Sequence, residues 1–340
     1  MIATYKHYNL LTKIICISDI YIVYILVQIL KQEKNKSGQN KLVDKISLIY
    51  IFLLLISSIT LNGCSMHRYL YNYTNLTKPR YASQNFTTTR NYQNEDIKIL
   101  SYNIKYAKRI DKAITILKKY ETIKDADIIL LQEMDKEGVQ KIADTLKYNY
   151  VYYPAVVHPL HKKDFGNAIL SKWPIINDQK IILPHFNSNK QRIAVGATID
   201  IDGKKVMAFS LHLGIFVKPD QRKIIMDGII SAIPADIEHC VIGGDFNTFT
   251  KKDRKNIQDA FMAADFKSAT TDLGWTNKNW ALLNRKNTLD HIYIRGMKTV
   301  AKGKVIDRSA SDHIPIWTDL NFEETKQPLD DKENILATKN

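Results

Sequence analysis

Short apolar runs recur from residue 97 onward, and several of them stop on a polar residue. Residues 97–103 end at Asn103, and 127–131 lead into Gln132 and Glu133. Residues 205–211 are followed by His212, and 240–242 by Gly243-Gly244-Asp245-Phe246-Asn247. Ser311-Asp312-His313 leads into 314–320. Runs of this length read as buried strands. Such strands are ordinarily apolar throughout, so an Asn, Glu, His or Asp at the end sets an amide, an acid or an imidazole at a sheet edge. Residues 111–120 carry Ile114, Ile116 and Leu117 at helical spacing, and 139–146 and 221–233 are helical in pattern too. Residues 150–154 and 166–171 read as paired strands, and 192–201 with 205–211 form a hairpin around Asp202-Gly203. Residues 289–294 and 314–320 are the last strands. Hairpins mixed with helices predict an α/β fold of two packed mixed sheets with helices outside.

The chain before residue 96 follows other rules. Residues 46–61 are uncharged and mostly apolar, preceded by Lys41 and Lys45 and followed by Asn62-Gly63-Cys64. A basic flank, a short apolar core and a small residue before the break describe a signal peptide. Leu61-Asn62-Gly63-Cys64 also resembles the bacterial lipobox, which implies lipidation of Cys64. The competing reading is an uncleaved anchor, although the run falls short of the roughly 20 residues a spanning helix needs. Residues 14–30 are a second apolar stretch, either a weak first membrane helix or sequence upstream of the true start. Lys31, Lys34, Lys36, Lys41 and Lys45 lie between the two stretches and favour the cytoplasmic side. Both readings therefore predict a membrane-anchored, extracytoplasmic protein. Residues 1–63 are the membrane or signal segment and 64–95 a polar tether. Residues 96–321 are the catalytic domain, and 322–340 a polar tail.

Charge narrows the partners only slightly. The 340-residue chain carries +14, split evenly at +7 before residue 96 and +7 from it onward. The folded part is thus mildly basic, which suits a polyanion without singling out nucleic acid. Cys16, Cys64 and Cys240 offer no zinc spacing and no disulfide framework, and Cys240 reads as a core thiol.

Carboxylates, amides and histidines brought together at strand ends form a hard-oxygen metal site with imidazoles beside it, equipment for cleaving a phosphate ester. The order and wording of Leu100-Ser101-Tyr102-Asn103, Leu131-Gln132-Glu133, Ser210-Leu211-His212-Leu213, Gly243-Gly244-Asp245-Phe246-Asn247 and Ser311-Asp312-His313-Ile314-Pro315 resemble the endonuclease/exonuclease/phosphatase superfamily, with its deoxyribonuclease-like fold. The resemblance implies a four-layer α/β sandwich with the site at one edge. It makes Glu133, Asn103 and Asp312 the metal side, for magnesium with manganese as an alternative. Asp245 would deprotonate the attacking water and Asn247 would bond the scissile phosphate. His313, held by Asp290, and His212 would donate to phosphate or leaving oxygens, and Asn167 would reach the phosphate. His291, one position from Asp290, faces the other side of its strand and reads as structural. Arg192 and Arg222 are weaker phosphate candidates, with solvated surface the plainer reading for both.

The expected reaction is divalent-metal-dependent hydrolysis of a phosphodiester by in-line water attack. Nucleic acid and phospholipid headgroups, sphingomyelin among them, are the leading substrates, and a phosphomonoester comes third. A membrane-tethered binding protein with an inactive enzyme fold is the non-enzymatic alternative. No protein partner is evident.

Overall fold

The structure is a computed structural model that describes residues 71–86, 96–184, 190–215, 217–270, 272–279 and 285–323. The membrane segment, Cys16, the lipidation candidate Cys64 and tail residues 324–340 lie outside the described residues. Among those described, no helix is long and apolar enough to cross a membrane.

The strands are β1 Tyr81–Ser83, β2 Ile97–Asn103, β3 Ile128–Met134, β4 Asn149–Val157, β5 Asp164–Ser171, β6 Ile175–Leu183, β7 Arg192–Ile201 and β8 Lys204–His212. They continue as β9 His239–Asp245, β10 Lys267–Ser268, β11 Asn277–Asn279, β12 Arg285–Asn287, β13 Asp290–Arg295, β14 Met297–Lys304 and β15 Ile316–Phe322. Among the described residues four α-helices accompany them: α1 Ile110–Lys119, α2 Lys136–Leu146, α3 Pro219–Ser231 and α4 Lys251–Met262. One sheet has the order β1-β4-β5-β3-β2-β15-β14, the other β10-β13-β9-β8-β7-β6, and β11 pairs with β12 alone. Both large sheets are mixed, since β2–β3 and β8–β9 are parallel and the remaining pairs antiparallel.

The period of two along each central strand builds the layers. Ile97 and Ile99 of β2, Ile128 and Leu130 of β3, Val241 of β9 and Ile292 of β13 meet in a core between the sheets. Leu100, Tyr102, Ile129 and Leu131 face the other way, onto Ile114, Leu117, Val139 and Ile142 of α1 and α2. Cys240, Ile242 and Tyr293 pack on Ile225, Ile229, Ile257 and Phe261 of α3 and α4. Helix, sheet, sheet and helix make the four-layer sandwich. Burial in that third core pushes the Cys240 thiol up to about 12, so it is an inert core residue.

Three elements escape the periodicity for physical reasons. In β6 the apolar residues sit at the ends and Asn177–Lys180 interrupts them; β6 and β14 are edge strands with one partner each. Helix α4 buries only Ile257 and Phe261 of a mostly charged sequence, and a capping box between Thr250 and Asp253 fixes its start.

The tether expectation for 64–95 is corrected over 71–86. There β1 pairs antiparallel with β4, placing Tyr81 opposite Tyr152. The buried Lys180 donates to the carbonyls of Tyr73 and Lys78, Tyr73 donates to Asp164, and Arg80 forks onto Asp178. A polar composition satisfied by side-chain bonds to the sheet carries no periodic signal.

Gly244 sets the spacing beside the site. Its φ is +146°, and a Cβ there would lie 2.0 Å from the Leu211 carbonyl oxygen on β8. Gly244→Ala should therefore lower stability by about 2–4 kcal/mol. A chemical-denaturation midpoint equal to the parent's would contradict this close backbone approach.

Candidate active site

Continuing the same alternation past the apolar residues brings the polar ends together. After Ile97 and Ile99, the inward positions of β2 are Ser101 and Asn103. On β9 they are Gly243 and Asp245, on β8 Ser210 and His212, and on β13 Asp290, directly opposite Asp245. Glu133 breaks the parity, because Gln132 takes the inward position and donates to Ser210 Oγ at 3.0 Å. A register shift between Leu131 and Met134, with Glu133 at φ 59°, turns the carboxylate back into the gap. Such a left-handed backbone at a strand end is strain of the kind found at functional sites.

The constellation is tight. Asn103 Nδ2 donates to Glu133 Oε1 at 3.2 Å and to Asp245 Oδ2 at 3.1 Å. The backbone N–H of Tyr106 donates to Glu133 Oε2 at 3.1 Å. His212 Nε2 lies 3.4 Å from Asp245 Oδ2 and 3.9 Å from Glu133 Oε1. On the other flank His313 Nε2 is 3.7 Å from Asp245 Oδ2, while its Nδ1 meets Asp290 Oδ2 at 2.8 Å. Thr276 donates to that same Asp290 oxygen at 2.6 Å and receives the backbone N–H groups of Leu289 and Asp290.

Electrostatics separates the two imidazoles. Burial works against charge on His313, but Asp290 and Asp245 outweigh it and hold the ring well above the ordinary histidine range. Burial, then Arg192, His313 and Lys190, pushes His212 well below that range, so it is neutral. One charged and one neutral imidazole thus flank the same carboxylate, Asp245. Burial also raises Glu133 and Asp245, each partly offset by His313.

The donor set suits a hard cation. Oxygens of Glu133 and Asp245 and a ring nitrogen of His212 lie within 4.8 Å of one another. Asn103 Oδ1 is buried without a partner beside them. Two carboxylates, an amide oxygen and a ring nitrogen fit a divalent cation.

Other expected residues sit differently. Asp312 is half-buried and paired with Lys105 Nζ at 2.8 Å; it is not among the Glu133, His212 and Asp245 ligand atoms that lie within 4.8 Å of one another, though its charge acts on Glu133 and His313. Both amide hydrogens of Asn167 go to the carbonyls of Ile193 and Ser210, so its amide ties the two sheets together and has no donor left for a phosphate. Asn247, at φ 50°, donates to the Leu213 carbonyl at 2.8 Å and aims only a long 3.5 Å contact at Asp245. Arg222 is buried, not solvated, and holds the carbonyls of Phe246 and Asn247 at 2.8 and 2.9 Å. Arg192 is half-buried with its guanidinium nitrogen 3.1 Å from His212 Nδ1, a site residue and not plain surface. His291 packs on Phe246 and bonds Thr248 at 2.8 Å, away from the site as its parity requires. Thr276, Lys105 and Tyr106 were not singled out from sequence, because none ends an apolar run.

The sequence model of the Endonuclease/Exonuclease/phosphatase family matches residues 100–313. No curated protein matches the chain. Among solved structures, a family protein from Leptotrichia buccalis C-1013-b is similar at TM-score 0.55 and 18% identity, over 66% of this chain and 100% of that one. The human Nocturnin catalytic domain with bound sulfate anion is similar at 0.54 and 17%, over 67% and 95%. D. rerio TDP2 complexed with single strand DNA product is similar at 0.53 and 14%, over 66% and 99%.

Proposed function

The chain belongs to the endonuclease/exonuclease/phosphatase family of phosphoester hydrolases, and from that premise we propose that it is a divalent-metal-dependent phosphodiesterase acting on nucleic acid. The observation that carries this reading is the convergence of Asn103, His212 and His313 on one buried carboxylate, Asp245, with Glu133 held beside it by Asn103. Glu133 and Asn103 Oδ1 would hold the ion, with Asp245 beside it. The bound ion would supply a Lewis acid for the phosphoryl oxygens.

The residues of the chain do the rest. Asp245, raised by burial, takes the proton of the attacking water. Charged His313 donates from Nε2 to a phosphoryl oxygen as negative charge builds there. Asp290, itself held by Thr276, keeps the His313 ring oriented and charged. Neutral His212 offers its single N–H to the phosphate or the leaving oxygen. Arg192, beside it, stabilises the same developing charge. Arg222 and Asn247 keep the Asp245 turn in place from behind. The nucleic-acid choice draws support from the DNA product bound to the similarly folded TDP2.

The test is a metal-supplemented panel of plasmid DNA, RNA, sphingomyelin, phosphatidyl lipids and inositol phosphates. Cleavage of DNA or RNA is expected. Turnover of monoesters alone would overturn the diester reading. No turnover on any member would place the chain with inactive enzyme folds.

A further inference from the structure

Beside His212, ring side chains adjoin one another in a wall. Phe165 is 5.6 Å from His212 between ring centroids, and His158 is 5.4 Å from Phe165. His161 stacks on His158 at 4.8 Å with 19° between planes, and Tyr106 touches His158 at 4.8 Å and His161 at 4.5 Å. His158 and Phe165 are buried, while Tyr106 and His161 keep part of their surface open to solvent. Tyr106 joins this wall to the centre directly, because its own N–H holds Glu133.

Cations rim the wall. The Arg192 guanidinium lies 5.5 Å from the Phe165 ring centre, and Lys108 Nζ lies 5.2 Å from that of Tyr106. The histidines register the same field: burial, then Lys190, His161, Arg192 and Lys108, lowers His158 to about 4. Both rings also carry an unmet demand, since His158 Nδ1 and His161 Nε2 are buried without a hydrogen-bond partner.

We propose that Tyr106 and His161, backed by His158 and Phe165 and flanked by Lys108 and Arg192, form a subsite for the nucleotide next to the scissile phosphate, and that the substrate is single-stranded. This deepens the phosphodiesterase reading and rests on it. A base needs a free face to stack on such a wall, which a paired base inside a duplex does not offer. The flanking phosphate then meets Lys108 and Arg192. A choline headgroup suits aromatic rings, but the surrounding cations repel it. An anionic headgroup would satisfy the cations and leave the rings without a stacking partner.

The test uses the full chain in detergent and reads binding and turnover separately. Fluorescence anisotropy compares a single-stranded DNA decamer, an abasic decamer with the same sugar-phosphate backbone, the duplex, and vesicles of phosphatidylserine or sphingomyelin. The parent should bind the base-bearing strand roughly 5- to 150-fold more tightly than the abasic one. Tyr106→Ala and His161→Ala should bring that ratio towards one, and His161→Phe, which restores a ring, should keep it. Lys108→Ala should weaken both strands and reduce the salt slope by about 0.7. Equal affinity of the parent for the two strands would overturn the subsite, as would preference for the duplex or for either vesicle. An unchanged ratio in both alanine variants would overturn it too. Base-selective binding without metal-dependent turnover would support the subsite and count against the phosphodiesterase reading, so the two failures are distinguishable.

Discussion

His313→Ala leaves almost no turnover, a fall of about 100- to 10,000-fold, while Asp290→Asn keeps a measurable rate and recovers part of the loss as the pH is lowered. The geometry sets this order. His313 Nε2 faces the reacting region beside Asp245, whereas Asp290 reaches it only through His313 Nδ1. In the parent, Asp290 and Asp245 hold the ring charged far into the alkaline range. Removing the Asp290 charge lowers the His313 pKa, so the charged form is lost at a lower pH than in the parent and regained below the new value. Thr276 can still donate to the remaining oxygen at position 290, so the ring stays oriented. Rates of both variants from about pH 5 to 9 on one accepted substrate test this. If Asp290→Asn matched the parent at every pH, the pairing would have no catalytic part. If His313→Ala were nearly neutral, the assignment of the donor role would fail.

The fold and the centre were legible to different depths. Strand parity was enough to put Asn103, His212, Asp245 and Asp290 on inward faces and to send His291 outward, because one face of each strand had to be apolar to bury. Glu133 would be misplaced by parity alone. It reaches the centre through a bulge and a left-handed backbone, which no hydrophobic pattern records. Arg222 and Asn167 show the opposite limit. Each is a polar residue near a motif, and only tertiary structure shows that its donors are spent on backbone carbonyls. Tyr106 sits in a single 3-10 turn and Thr276 and the His158–His161 pair in loops, where side chains answer to three-dimensional neighbours and leave no periodic trace. Asp312 shows how far a motif reaches: its neighbour His313 is in the centre, but its own carboxylate is paired with Lys105.

Chelation should abolish activity, magnesium or manganese should restore it, and Glu133→Gln should cost about two to four orders of magnitude at any metal concentration. The argument has a stability side that does not depend on turnover. In the metal-free site Glu133 and Asp245 are buried acids near one another, both raised by that burial. A divalent cation that binds only the folded chain relieves this and stabilises by about 2.7 kcal/mol at 100 times its Kd. Thermal unfolding of the parent should therefore shift upward with added metal. Glu133→Gln keeps the shape and one acceptor for Asn103 or Tyr106 but removes a buried charge. Its metal-free melting temperature should equal or exceed the parent's, and the metal-dependent shift should shrink or vanish. That combination of a folded protein, a lost shift and a lost rate separates a cation ligand from a residue that merely supports the fold. Full turnover in excess chelator would remove the metal from the mechanism. An intact thermal shift in Glu133→Gln would move the cation to other oxygens, with Asp312, freed from Lys105, the next residue to substitute.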